Sequence, residues 1–329
     1  MTDIFTRRLD REFYGRVNSL RLWIVMPSDP ITDDRAYVAG YLNHVFEDVM
    51  VSRVSRDAAA LTPPPRPPHA VLNMMSTRNK ALLESIESHA SEAGAALSSP
   101  TWAAWNADDK RTYVEHFADV SPPTRIARTL EDVHAAFVEF GGDIVVKDPF
   151  GFRGQGVERI SSESDLSIAE QVAANAVGPT RELVVQPFMS GFATGDKRII
   201  TQKAPDGRIE IIAYIMRRPP PGNWKCNIRS GGVVEQTELT DAERAIALEV
   251  GARSGLDNTA MDIAEHEGRL YYIEHNNAAG GIIDYDLGRD ERGVEKIGAF
   301  LRHIAEHGRS ADMPAHVSPS VHAAVTQPA

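Results

Sequence analysis

From Arg21 onward, short continuous apolar runs alternate with longer stretches in which apolar residues recur every three or four positions. Leu22 to Met26 reads as a buried strand that stops at the breaker cluster Pro27-Ser28-Asp29-Pro30. Asp33 to Glu47 reads as a helix, with Val38, Tyr41, Leu42 and Val45 on one face. Val49 to Val51 and Ala70 to Met74 read as strands, and Thr77 to Ala90 as the helix that follows. Between them, Thr62-Pro63-Pro64-Pro65-Arg66-Pro67-Pro68 reads as a stiff surface loop, because proline removes ladder donors. Strands alternating with helices point to a parallel α/β layer.

A second series begins near Pro122-Pro123 with strand Thr124 to Ala127, helix Leu130 to Phe140 and strand Asp143 to Lys147. Leu183 to Gln186, Lys197 to Gln202, Glu210 to Met216 and Asp262 to His275 supply further strands. Thr240 to Ser254 reads as a helix: Thr240 caps it, Glu243 stands three residues on, and Gly255 closes it. After about His307 no periodicity remains, and a disordered tail is expected over 309–329.

The chain has 329 residues, enough for two or three lobes. Its 42% apolar and 25% charged residues are the balance of a globular protein. Thirty-five Lys and Arg against 46 Asp and Glu leave a net charge of −11, which argues against a nucleic-acid partner. The single cysteine, Cys226, excludes an intrachain disulfide and a cysteine-based zinc site. Met1 to Asn18 carries arginines and no signal-type apolar core, and Ile211 to Met216 is far too short to span a bilayer. A cytoplasmic protein, neither secreted nor inserted in a membrane, is expected.

Candidate chemistry starts with Asp262 to Asn276, whose two apolar-bearing runs flank the turn signal Glu267-Gly268. A two-residue loop would set Asp262 opposite Ile273, and a three-residue loop centred on Gly268 would set it opposite Glu274. Only the second register puts both carboxylates on one face. Glu274 and Asn276 share a face in either case. Two carboxylates and an amide oxygen make a hard-oxygen set suited to Mg²⁺. An exposed hairpin with solvated charges accounts for the pattern equally well.

Val145-Val146-Lys147 ends a strand and runs into Gly151-Phe152-Arg153-Gly154-Gln155-Gly156. Glycines let backbone N–H groups approach phosphates, and a lysine adds a point charge. The spacing fits neither G-x-x-x-x-G-K nor G-x-G-x-x-G, so an ordinary turn stays open. Further on, Gly195-Asp196-Lys197-Arg198 opens a strand. Arg217, Lys225, Asn227 and Arg229 surround a Pro-rich segment that precedes Gly231-Gly232. That segment could close over anions or be a solvated loop.

Taken in this order, the motifs resemble the ATP-grasp superfamily and, within it, the bacterial glutathione synthetase type. The resemblance covers roughly Leu22 to Ile304 and is sharpest from Asn106 to Gly281. It implies an ATP-grasp fold of mixed α/β (α+β) class with an N-terminal extension over 1–18. A parallel α/β lobe would span 19–121, a small lid 122–192 and an antiparallel C-terminal lobe 193–308. Asn106-Ala107-Asp108-Asp109-Lys110 is similar to the family's Asn-x-x-Glu-Lys, which makes Lys110 a nucleotide lysine. Ile144 to Val157 is similar to its strand–lysine–glycine loop, with Lys147 as the second lysine and Gly151, Arg153, Gly154, Gln155 and Gly156 as the triphosphate cover. Gln186-Pro187-Phe188-Met189 occupies the hinge that reads adenine. Gly195-Asp196-Lys197-Arg198 is similar to Gly-Asp-x-Arg, and implies Arg198 beside the reacting phosphoryl group. Arg217 and Asn227 match the family's two phosphate-side residues. Asp262, Glu274 and Asn276 match its Mg²⁺ ligands, with Mn²⁺ as a substitute, and favour the three-residue loop.

The implied activity is ATP-dependent ligation of a small carboxylate to a small amine through an acylphosphate. Glutathione synthetase itself, a small-molecule kinase and a non-catalytic ATP-binding regulator are the rivals. The resemblance also suggests a homo-oligomer. Several positions depart from the family. Lys147 is followed by Asp148-Pro149-Phe150, Arg153 replaces a loop glycine, and Lys225 stands for the substrate-loop arginine. Arg229 adds a charge, and Asn277-Ala278-Ala279-Gly280-Gly281 replaces a Ser-Pro-x segment. The amino-terminal lobe lacks Arg-x-x-Pro-Pro, with Asn73 to Arg78 near its place. These changes fall on the substrate side, where Lys225, Arg229, Ala279 and Gly280 are the candidate contacts, and point to substrates other than γ-glutamylcysteine and glycine.

Cys226 reads as a small packed residue, since acylphosphate chemistry needs no thiol. His303 and His307 lie four apart but do not form His-Glu-x-x-His, so a surface pair is expected. His275 should point away from its flanking ligands, and Trp224 could cover a substrate or pack the loop. From Asp196 to Arg229 there are eight Lys and Arg against three Asp and Glu, a local +5 inside the acidic chain. The anion should bind there.

Overall fold

The computed structural model describes residues 19–28, 33–75, 77, 79–151, 154–176, 181–227, 231–277 and 292–309. The amino-terminal lobe comprises β1 (Arg21–Pro27), α1 (Asp33–Val45), β2 (Asp48–Val54), β3 (Ala70–Asn73), α2 (Lys80–Glu92) and β4 (Ala96–Ser98). Two short helices follow, α3 (Thr101–Asp108) and α4 (Thr112–His116). The four strands form a parallel sheet in the order β2-β1-β3-β4. β1 is central and almost wholly buried, which is why Leu22 to Met26 reads as an unbroken apolar run. α2 starts later than its periodicity suggests, because the Asn79 side chain accepts from Ala81 N and fixes the cap there.

The second layer holds β5 (Arg125–Ala127), α5 (Leu130–Glu139), β6 (Ile144–Lys147), β7 (Val157–Ile160), α6 (Ser167–Ala174) and β8 (Leu183–Pro187). Its antiparallel sheet runs β5-β8-β6-β7 around a separate core that includes Val133, Phe137, Val146 and Val185. A capping box between Thr129 and Asp132 starts α5.

The third sheet comprises β9 (Asp196–Lys203), β10 (Ile209–Arg218), β11 (Val233–Glu235), then α7 (Asp241–Arg253), and the hairpin β12 (Asn258–His266) and β13 (Arg269–Asn277). Its order is β11-β10-β9-β12-β13, antiparallel throughout. α7 covers one face, packing Ile246, Ala247 and Val250 on Ile199, Met261 and Tyr272. Its start is the Thr240–Glu243 capping box and Gly255 follows it at φ +72°. The other face shares a core with the amino-terminal sheet, sealed by α8 (Arg292–His307) through Val294, Ile297, Phe300, Leu301 and Ile304.

Short elements escaped the pattern: β4, α3, α4, β7, α6 and β11 each span too few residues to show a period. Arg309, the first residue of the expected tail, is held by the Asp257 carboxylate and the Leu97 carbonyl. His303 and His307 stack on α8 with ring centroids 4.7 Å apart. Among the described residues no cluster of three His, Cys, Asp or Glu side chains could hold a metal, and no helix is long and apolar enough to cross a membrane.

Candidate active site

The β12–β13 hairpin decides the register question. Its turn has two residues, Glu267 (φ +52°) and Gly268 (φ +78°), with His266 paired to Arg269. Positive φ at both is a type I′ turn, whose twist matches that of the strands. The three-residue loop expected from the sequence is not formed. Asp262 nevertheless faces Glu274, because a bulge at Ile273 shifts the pairing between Asp262 and Ile263. The same bulge lets Tyr272 enter the α7 core while Glu274, two residues on, lines the opposite cleft. Asn276 is paired with Ala260, one step further along the Glu274 face. His275 turns the other way, as expected, and is buried against Phe117 and Tyr272, its Nδ1 bonded to the Tyr272 hydroxyl. Burial, helped by nearby His116, pushes its pKa down to about 4, so it packs as a neutral ring.

A cleft of about 840 Å³ opens between the second and third sheets. Of the sequence-derived candidates, Lys110, Lys147, Gly151, Gly154, Gln186 to Met189, Arg217, Lys225, Asn227, Asp262 and Glu274 all line it. Gln155, Gly156, Arg198 and Asn276 lie outside that lining, though Arg198 reaches it through Asp262. Arg153, Arg229, Ala279 and Gly280 lie outside the described residues.

Two buried lysines mark one wall. Lys147 ends β6, and its Nζ donates to Gln186 Oε1 at 2.7 Å, an amide rather than a carboxylate. Burial pushes its pKa down to about 8 against the pull of Glu274, with Lys110 adding to the fall. Lys110 donates to the Gly151 carbonyl and lies 3.8 Å from Glu274. The glycine loop folds back on Asp148, whose N–H donates to the Gly156 carbonyl at 2.7 Å. Gly156 has φ +66°, and a Cβ there would stand 2.8 Å from Asp148 Cβ, so a side chain is excluded twice over.

The opposite wall is a row of alternating charges. Arg198 grips Asp262 with both arms, at 2.8 and 2.9 Å. Arg217 reaches the same carboxylate at 2.7 Å and clasps Asp196 at 2.6 and 2.7 Å. Burial works to raise the Asp262 pKa, but the two arginines outweigh it and hold it at about 2. Asp196 stands inside the Gly-Asp-Lys-Arg motif, yet its grip on Arg217 depends on β9 and β10 pairing Asp196 with Arg217. No signal along the sequence gives that pairing.

The loop after β10 leans on the second sheet. Lys225 pairs with Glu158 of β7 at 3.2 Å, and Trp224 meets Phe188 edge-on at 5.6 Å between centroids. The Arg159 guanidinium stacks on Phe188 at 3.6 Å. Trp224 therefore packs the loop against Phe188. Cys226 is buried, and burial raises its thiol to about 12, which removes it as a nucleophile.

The donor set fits a hard divalent cation: Asp262 and Glu274 face one another across the hairpin, with the Asn276 amide next on that face. The two lysines beside it fit a polyanion, since each is buried and hydrogen-bonded to a carbonyl or amide oxygen rather than to a carboxylate.

Comparisons with known proteins bear on the family and the fold. A family profile described as prokaryotic glutathione synthetase, ATP-grasp domain, matches residues 110–265. The chain is 34% identical to a glutathione synthetase of Mesorhizobium japonicum over 155 residues, 47% of each chain. It is 26% identical to a probable alpha-L-glutamate ligase of Azotobacter vinelandii over 191 residues, 57% of this chain and 60% of the relative. The chain thus spans about half the length of the curated relatives it matches. Among solved structures, the fold superposes on D-cycloserine synthetase DcsG with a TM-score of 0.65 at 16% identity, covering 88% of this chain and all of that one.

Proposed function

From a glutathione synthetase-like ATP-grasp chain with this cleft, we propose an ATP-dependent ligase that joins a small carboxylate to a small amine. The γ-phosphoryl group of ATP passes to a carboxylate oxygen, giving an acylphosphate and ADP. The amine nitrogen then attacks the acyl carbon, loses a proton and expels phosphate, leaving an amide. The observation that carries this reading is one cleft that gathers two buried lysines beside the facing pair Asp262 and Glu274.

In this reading Lys110 and Lys147 hold phosphate oxygens, and the loop from Gly151 to Gly156 covers them with backbone N–H groups. Gln186 to Met189 border the adenine, with Phe188 steadied by Arg159 and Trp224. Asp262, Glu274 and Asn276 would hold Mg²⁺, which neutralises phosphate charge during transfer. Arg198 and Arg217 stabilise the transferring group. Lys225 and Asn227 border the substrate side. Lys225, at the substrate-loop arginine position, offers a point charge where an arginine would offer a bidentate fork. That difference supports small amino-acid or peptide substrates other than those of glutathione synthetase.

The test is an ADP-release screen over pairs of carboxylates and amines, with mass spectrometry of the product and hydroxylamine trapping of the acylphosphate. A pair that gives ADP, an amide and a hydroxamate supports the ligase. ATP binding with no ADP release for any pair would sink it. ADP release that needs no amine and yields no hydroxamate would indicate a kinase instead.

A further inference from the structure

Asn277 is the last residue of β13, directly after the proposed ligand Asn276. Its side chain is buried, and its Nδ2 donates across the lobe junction to Met75 O at 3.2 Å and Asn73 O at 3.5 Å. Both carbonyls belong to the segment leaving the carboxyl end of β3. Open parallel sheets present ligands at the carboxyl ends of their strands. The segment continues toward the cleft through Thr77, whose N–H donates to Asp108 at 2.8 Å, two residues before Lys110.

A small pocket lies beside Asn277, with Asn73, Asn258 and Asn277 on its polar side and Leu72, Met74 and Phe300 on its apolar side. Within it, Asn73 Nδ2 and Asn258 Oδ1 are buried without a hydrogen-bond partner among the described residues. The lobes share an apolar core here through Leu72, Met74, Ile200 and Ala260, and polar joints at its rim add to it. These joints are the Asn277 bonds, the reciprocal pair at the end of β4, where Ser99 N donates to Asp257 at 2.7 Å and Asp257 N to Ser99 Oγ at 3.1 Å, and Arg309, which bridges Asp257 and the Leu97 carbonyl. Of these, the Asn277 joint is the one next in sequence to the proposed ligand Asn276.

We propose that Asn277 is a positioning residue that fixes the segment after β3 against the metal end of β13, and so sets the carboxylate substrate at its distance from the transferring phosphoryl group. The inference rests on the ligase reading. Asn277 opens the stretch that replaces the family's Ser-Pro-x segment, and a serine at this position would end one atom short of the Asn amide nitrogen.

The experiment compares Asn277→Ala and Asn277→Ser with the wild type in three measurements. ATP affinity is taken by calorimetry without carboxylate, kcat and KM for the carboxylate from ADP release, and amide hydrogen exchange at Met75 and Thr77. The expected result is a fall of about tenfold in kcat/KM for the carboxylate, carried mainly by KM, with ATP affinity within about twofold of wild type. Exchange at Met75 and Thr77 should quicken while that at Val184 and Val185 stays unchanged. A carboxylate KM that does not move in either variant, or an ATP affinity that falls in parallel, would overturn the positioning role. If the wild type releases no ADP with any carboxylate, the ligase reading fails by itself. Unaltered exchange at Met75 and Thr77 would then overturn the joint separately.

Discussion

Lys147 is a cation kept in a buried site before any anion arrives. Holding its pKa at about 8 rather than 10.5 costs the empty protein roughly 3 kcal/mol. The sign follows from proton binding: between pH 8 and 10.5 the unfolded chain holds the proton and the folded chain does not. The penalty is therefore complete below pH 8 and shrinks as pH rises toward 10.5. Lys147→Met should leave the empty protein at least as stable, since the unpaired Gln186 oxygen offsets only part of the gain, and should weaken ATP at least tenfold. Chemical denaturation and calorimetry read the two effects. In the wild type, ATP affinity should fall as pH rises through about 8, because the anion binds the charged form. An affinity flat from pH 7 to 9 would count against Lys147 as a phosphate ligand. Glu274 makes the complementary case: it is partly exposed, and its ion-pair contact with Lys110 is 3.8 Å long. Glu274→Ala should shift the denaturation midpoint little yet lower turnover by two orders of magnitude or more at saturating Mg²⁺, about 3 kcal/mol of transition-state stabilisation. Wild-type turnover would remove it from the metal set.

The hairpin shows how an element can reach the right register by an unexpected route. Glu267-Gly268 is legible as a turn, and alternation makes Glu274 and Asn276 neighbours on one face. The bulge at Ile273 is not legible, because an extra residue in a strand leaves no mark in apolar alternation this short. It becomes necessary only when Tyr272 must fill the α7 core and Glu274 must face the cleft. Gly268 has φ +78° and open space where a Cβ would go, so Gly268→Ala should cost only the backbone strain, about 1 kcal/mol. Urea denaturation should show that loss with kcat unchanged. A several-fold fall in kcat would mean that the turn transmits to the metal end of the strand. The capped helices α5 and α7 were legible to within a residue, since the Thr-x-x-acid signal acts locally.

Across the whole molecule, the second and third sheets and the segment around Lys110 meet at one cleft, and nucleotide should bind only when these parts are folded. ATP at about a hundred times its Kd should then raise the unfolding free energy by about 2.7 kcal/mol, and Lys147→Met should abolish that rise. A denaturation shift of equal size in the variant would place ATP elsewhere. The chain as a sequence determined what periodicity and order can carry: a parallel lobe, strands of a second and third sheet, a basic stretch within an acidic whole, and motif residues that gather in one cleft. These follow from local chemistry, in which a strand alternates, a cap binds its own helix and a lysine brings its charge wherever the chain takes it. Tertiary structure alone decided that Asp196 clasps Arg217, that Arg198 and Arg217 share Asp262, that Lys225 meets Glu158, and that Asn277 crosses to the amino-terminal lobe. Each of these joins residues from different elements, and contact between elements depends on sheet register and lobe docking, which no spacing along one chain encodes.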